Sequence, residues 1–163
     1  MLQPDLKLVR IDERLIHGQG QMWIRSLGVN LCVVANDEAA NDPIQQSLMK
    51  SVVSGTGMRF FTIEKTAEII HRAAPTQHIF LVVKSPKDAL RLVEGGVPIT
   101  HVNVGNVHSA EGKEKVSNYI YLGDEDKQAL KKMHEEYNIT FDTRTSPMAP
   151  DVDALDTLME KIK

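Results

Sequence analysis

A chain of 163 residues is the size of one globular domain with a single core, and no linker, repeat or low-complexity tract interrupts it, so residues 1–163 are read as one domain. Its net charge of −3, from 19 basic and 22 acidic residues, lacks the basic excess of a nucleic-acid binder, and its 42% hydrophobic and 25% charged content is ordinary for a soluble protein. The one cysteine, Cys32 in the apolar run LCVVA, can form no internal disulfide, no run reaches the roughly 20 apolar residues of a membrane span, and MLQPDLK has no signal-peptide pattern, so a cytoplasmic protein is expected.

In chain order, LKLVRI (6–11) reads as a strand and QMWIRSLG as a helix ended by Gly28. NLCVVA (30–35) is a second strand. Asp42-Pro43 then opens the helix PIQQSLMKSVV, with an N-cap acid and a first-turn proline. MRFFTI (58–63) is the third strand, and Glu64 to Arg72 spaces Ala67, Ile69 and Ile70 for one buried helix face. HIFLVV (78–83) is followed by a helix that Ser85-Pro86 opens and Gly95-Gly96 closes. HVNV (101–104), NYIYL (118–122) and a short NITF (138–141) complete the strands. Asp124 to Tyr137 is a charged surface helix, and Val152 to Ile162 a C-terminal helix with Val152, Leu155, Leu158, Met159 and Ile162 on one face.

Strands alternating with helices at this spacing predict an α/β fold: a single open, mainly parallel twisted sheet with helices on both faces. Ligands of such sheets bind beyond the carboxyl ends of the strands. Three segments follow strand ends and are expected at one crevice: the loop holding His17, SPK (85–87) and GNVHS (105–109).

The segment RIDERLIHGQGQ (10–21) runs off an apolar strand into glycines and a helix start. Gly18 and Gly20 permit close backbone approach and unusual dihedrals. A helix N-terminus with Arg14 beside it suits a phosphate or other anion. A neutral imidazole next to such a cradle is a plausible phosphoryl acceptor, which singles out His17. A dinucleotide fingerprint competes, since Gly18-Gln19-Gly20 follows a strand and Asp37 lies where a ribose-binding acid would, but the third glycine position is Trp23. No metal site is expected: His101 and His108 are seven residues apart and fit no ligand-spacing motif. His71, His78 and His134 carry no visible motif, and no GxSxG elbow marks a hydrolase.

Arg10-Ile11-Asp12-Glu13-Arg14-Leu15-Ile16-His17-Gly18-Gln19 resembles the signature of the IIB subunits of the mannose/fructose/sorbose family of the bacterial phosphotransferase system. VNVGNVHSAEGK (102–113) and VANDEAANDPIQQSLMK (34–50) extend the resemblance over nearly the whole chain. It implies that His17 carries a phosphoryl group on Nδ1, that Arg14 lies near it, and that no cofactor is needed. It implies a phosphorylated IIA partner as donor and, as acceptor, a sugar held by membrane-embedded IIC and IID, with which the chain would associate peripherally. A homodimer is compatible with the family.

On this reading Asp12 orients Arg14 or the loop, Glu13 is a surface residue, and the backbone of Gly18 and Gln19 completes the cradle. Lys84, Ser85, Asn106 and His108 are weaker candidates for the rim, with Ser85 also read as an N-cap. Trp23 is assigned to core packing. The family pattern usually continues HGQV, and Gly20 departs from it. Two alternatives stay open, a regulatory phosphoprotein and a nucleotide-binding α/β module without a transport role. Among sugars, ANDEAANDPIQQSLMK and RFFTIEKT look most like the N-acetylgalactosamine/galactosamine branch.

Overall fold

A computed structural model describes residues 3–18, 20–149, 159–160 and 162. Its main sheet has six strands, all parallel: β1 (Asp5–Ile11), β2 (Leu31–Ala35), β3 (Gly57–Phe61), β4 (His78–Val83), β5 (His101–Val104) and β8 (Thr140–Asp142). They lie in the order β3-β2-β4-β1-β5-β8, which leaves the sheet open, as expected. Helices cover both faces. The side chains of each strand alternate between two cores, as a period of two requires.

Cys32, Val34, Phe80 and Val82 point to one face and pack with Trp23 and Ile24 of α1 (Gly20–Leu27) and Met49 of α2 (Pro43–Val52). Val33, Ala35, Ile79, Leu81 and Val83 point to the other. There they meet Ile63 of α3 (Ile63–Ile69), Leu92 of α4 (Pro86–Glu94), and Leu130 and Met133 of α5 (Asp124–Tyr137). Cys32 is fully buried, and desolvation pushes its thiol up to about 12.

The helix starts are set by the residues the sequence offers. The Asp42 carboxylate accepts from the Ile44 and Gln45 N–H groups, and the Ser85 hydroxyl accepts from Asp88 N–H at 3.1 Å. Pro43 and Pro86 hold the first turns. Gly28 ends α1 in the left-handed region at φ 66°. A 3-10 turn, Ile70–Arg72, continues α3.

Two elements differ from the sequence reading, and a third is described only in part. NYIYL does not join the main sheet: β7 (Ile120–Leu122) pairs antiparallel with β6 (Glu114–Ser117) in a separate hairpin. Its alternation buries Val116, Ile120 and Leu122 on the large core, so the pattern was that of a strand with a local partner. The last strand begins at Thr140 because Asn138 caps α5 in the left-handed conformation, φ 57°. Of the expected C-terminal helix, Val152, Leu155 and Leu158 lie outside the described residues; Met159 is helical, and Met159 and Ile162 pack on the large core.

The chain leaves β1 toward one edge through α1, β2, α2 and β3, then returns to place β4 and β5 on either side of β1. The strand order therefore reverses at the carboxyl end of β1, the point where an open α/β sheet forms a crevice. No helix among the described residues is long and apolar enough to cross a membrane.

Candidate functional site

β1 ends at Ile11, and the next residue, Asp12, is fully buried. A buried carboxylate needs cationic or hydrogen-bonding partners, and Asp12 has them on both oxygens. Oδ2 accepts from Arg10 Nη2 at 3.2 Å, Asn106 Nδ2 at 3.3 Å and His17 Nε2 at 2.9 Å. Oδ1 accepts from Arg14 N at 2.9 Å and stands 3.4 Å from Arg14 Nε. Burial pushes this carboxyl up, but the His17 hydrogen bond, the Arg10 charge and the Arg14 N–H together outweigh it and hold Asp12 well below the usual carboxylate range. An ionised carboxylate has no proton to give, so His17 Nε2 carries the hydrogen. The neutral ring then has its lone pair on Nδ1.

Arg10 sits behind Asp12 and is 2% exposed. Its guanidinium donates to Asn103 Oδ1 and to the Arg144 carbonyl at 3.3 Å, and lies 5.8 Å from the centre of the Trp23 ring. Burial pulls its pKa down, with Asp12 opposing, and an arginine remains charged under such a shift. Asn103 in turn donates to Asp142 at 2.9 Å. A Cβ on Gly105 would stand 2.5 Å from the Arg10 guanidinium carbon and 2.8 Å from the Ile11 carbonyl oxygen, so this position accepts only glycine without a shift. Arg10 thus neutralises the buried carboxylate from the inside, and Arg14, 38% exposed, is the cation on the solvent side.

The loop itself is a tight turn. Leu15 N–H donates to the Asp12 carbonyl at 2.8 Å, and Leu15 takes φ 60°. A leucine in the left-handed region costs on the order of 1 kcal/mol or more, offset here because Leu15 and Ile16 are buried in the smaller core. The unusual backbone therefore falls on Leu15. Gly18 and Gly20 have no positive φ, contrary to the dihedral role expected of them. Gly20 N–H donates to the His17 carbonyl at 2.8 Å and starts α1; Gly18 is exposed, and Gln19 lies outside the described residues.

The structure brings the loop after β5 to the same place. Glu13 N–H donates to the Asn106 carbonyl at 2.7 Å, and the Glu13 carboxylate accepts from His108 N–H and stands 3.3 Å from His108 Nδ1. Glu13 is thus a latch between two loops, not a free surface residue, and His108 reaches the site through it. Asp12 N–H donates to the Val83 carbonyl at 2.9 Å, which ties the loop to the end of β4. Ser85 is occupied as the α4 cap, and Lys87 turns to Glu125 at 3.6 Å. His101 bonds Thr140 and Asp142 at the opposite end of β5. Asp37 accepts from Ile63 N–H and pairs with Arg91 at 3.1 Å, so its carboxylate joins β2 to α3 and α4.

Sequence reasoning passed over Arg10 and Asn103. A signal was present for both: each is a polar side chain between two apolar ones near the end of a strand, Arg10 two residues before Asp12 and Asn103 two residues before the segment GNVHS.

Residues 6–163 match the family model described as PTS system sorbose subfamily IIB component. The N-acetylgalactosamine-specific phosphotransferase enzyme IIB component 1 of Escherichia coli (strain K12) is 50% identical over 129 residues, which are 77% of this chain and 82% of that protein. The mannose-specific EIIAB component of the same strain is 33% identical over 95% of this chain but only 48% of its own length. A crystal structure of a PTS-dependent N-acetyl-galactosamine IIB component from Streptococcus pyogenes superposes with a TM-score of 0.88 at 48% identity, covering 92% of this chain and 93% of that one. The chain belongs to the sorbose subfamily of phosphotransferase-system IIB components.

Proposed function

We propose that the chain is a phosphocarrier and that His17 Nδ1 is the atom that carries the group. The observation that carries this reading is the 2.9 Å bond from His17 Nε2 to a buried, ionised Asp12. It sets the tautomer that presents a lone pair on Nδ1. In the first step that lone pair attacks the phosphorus of a phosphohistidine on a IIA partner; the N–P bond of the donor breaks, and the donor nitrogen keeps the electron pair. In the second step a hydroxyl of a sugar held by membrane IIC and IID attacks the same phosphorus. The Nδ1–P bond then breaks, and the hydroxyl proton leaves to water or to a base of the membrane component.

Such a transfer is mainly positioning and electrostatics. Arg14 offers a half-exposed guanidinium to the phosphoryl oxygens, and the exposed backbone at Gly18 lets the group approach. Arg10 keeps the Asp12 charge from repelling the incoming anion. One exposed arginine makes a cradle of moderate strength, which suits a group that has to leave again. The relatives at 50% and 48% identity, both named for N-acetylgalactosamine, support a sugar of the N-acetylgalactosamine or galactosamine class. The mannose-specific relative, whose name joins A and B components and of which this chain spans about half, supports a IIA protein as donor.

The test is phosphoryl transfer from phosphoenolpyruvate through the general components and a phosphorylated IIA. Acid-labile, base-stable label on the wild type and none on His17→Ala is expected. Label that survives in the variant would place the acceptor elsewhere.

A further inference from the structure

On the face of the large core, the helices do not cover the sheet out to its edge. β3 is the edge strand, and its register sets Arg59 beside Val33 and Phe61 beside Ala35; Leu31 in turn pairs with Ile79 of β4. Arg59 and Phe61 therefore share a face with Leu31, Val33 and Ile79. α3 crosses this face but is only seven residues long, and the 3-10 turn at Ile70–Arg72 finishes it. Leu31, Phe61 and Ala73 are left half-buried. Between helix and sheet remains a cleft of about 380 Å³, with Leu31, Val33 and Ile79 on the sheet side and Ile70 and Ala73 on the helix side. Clefts of about 300–1,000 Å³, mostly apolar with a few polar groups, are where small organic ligands bind.

The polar groups of this cleft are mainly cations. Arg59 reaches it from the edge strand, Lys65 from α3 and Arg72 from the turn, and no acid lines it. Lys65 shares its charge with Glu68 at 3.5 Å, both side chains being exposed. Arg59 Nη1 donates to the Met58 carbonyl at 2.9 Å, and neither arginine has an acidic partner among the described residues. Glu64 and Glu68 lie toward α4, beside Arg91 and Glu94, so α3 separates an acidic side from this basic one. A charge on an edge strand guards it against pairing with another chain, which accounts for Arg59 alone. It does not account for two more cations brought to the same apolar cleft from a helix and a turn.

We propose that this cleft binds an amphipathic organic anion, with an apolar chain or ring against Leu31, Val33 and Ile79 and a carboxylate head held by Arg59 and Arg72, Lys65 standing beside them. The guanidinium fork matches a carboxylate, whereas a cationic head would be repelled by all three groups. The site is independent of the carrier reading. It lies on the other face of the sheet from α1 and shares no residue with the His17 loop.

The experiment titrates decanoate, below the concentration at which it forms micelles, into the chain labelled with nitrogen-15, and follows amide proton–nitrogen spectra. Decylammonium and acetate are the controls. Decanoate is expected to shift the amides of residues 59–73 saturably, acetate to give no saturable shift, and decylammonium to bind at least about ten times more weakly. Arg59→Glu and Arg72→Glu are each expected to raise the Kd for decanoate roughly tenfold, and their spectra away from the cleft verify that they fold. Any of three results would overturn the proposal: no saturable shift over residues 59–73, an unmoved Kd in both glutamate variants, or equal binding of decylammonium. So would a wild-type dimer, at the concentration of the spectra, that Arg72→Glu dissociates, since the cleft would then hold a second copy. Binding to phosphatidylglycerol vesicles that decanoate fails to compete would overturn it too, since the cations would then face a membrane surface. Labelling of His17 by phospho-IIA decides the carrier reading separately, so each can fail without the other.

Discussion

Asp12 gathers six donor groups from Arg10, Arg14, His17 and Asn106, with both arginines among them. Its two tasks are separable by substitution. Asp12→Asn keeps the shape but removes the charge, so His17 loses a charge-assisted bond of about 1.5–3 kcal/mol, equivalent to a roughly ten- to hundredfold slower phosphorylation. Single-turnover labelling with phospho-IIA measures this, and an unchanged rate would rule out the orienting role. Arg14→Lys keeps the charge and loses the fork, and is expected to slow transfer by about tenfold; an effect under twofold would mean that a point charge is enough. At this scale the grouping of Asp12, Arg14 and His17 was legible, because all three fall within six residues off the end of one strand. The latch made by Glu13 and His108 was not, since it depends on which loop faces which across a gap of 95 residues.

At the scale of elements, the site is fixed by β1 and β5 and by the turn between β1 and α1. Gly105 makes a direct test of that packing. A methyl group there would collide with Arg10 and the Ile11 carbonyl. Gly105→Ala is therefore expected to cost about 1–3 kcal/mol, lowering the thermal midpoint by roughly 5 °C; a midpoint equal to wild type would show that Arg10 can move aside. The helices were readable at their starts because Asp42-Pro43 and Ser85-Pro86 act locally. β6 and β7 were misplaced because alternation reveals a buried face but not the partner strand, and β8 starts late because the cap at Asn138 uses a positive φ that composition does not display.

Over the whole molecule, the reversal of strand order at β1 puts the loop after β1 and the loop after β5 side by side, so the parallel sheet creates the place in which the signature acts. The strand–helix alternation was enough to expect this; the order of the strands was not in the sequence pattern. The electrostatics also have a molecular consequence. For Asp142, burial pushes the carboxyl up, but hydrogen bonds from His101, the Arg144 N–H and Asn103 outweigh it, so Asp12 and Asp142 are both held below the ordinary value of 3.8. In the unfolded chain they take up protons first, so their contribution is complete above about pH 5 and lost as pH falls through 3.8 and below. The urea midpoint is expected to decline between pH 5 and pH 3, and less so in Asp12→Asn; a midpoint constant over that range would contradict the network.

The central claim is that a buried carboxylate directs the phosphoryl group to one nitrogen of one histidine. The most direct measurement is a long-range proton–nitrogen spectrum of the phosphorylated chain labelled with nitrogen-15 at histidine. The account expects phosphorus coupling on Nδ1 of His17, with Nε2 still protonated; phosphorus on Nε2, or on any other histidine, would contradict it.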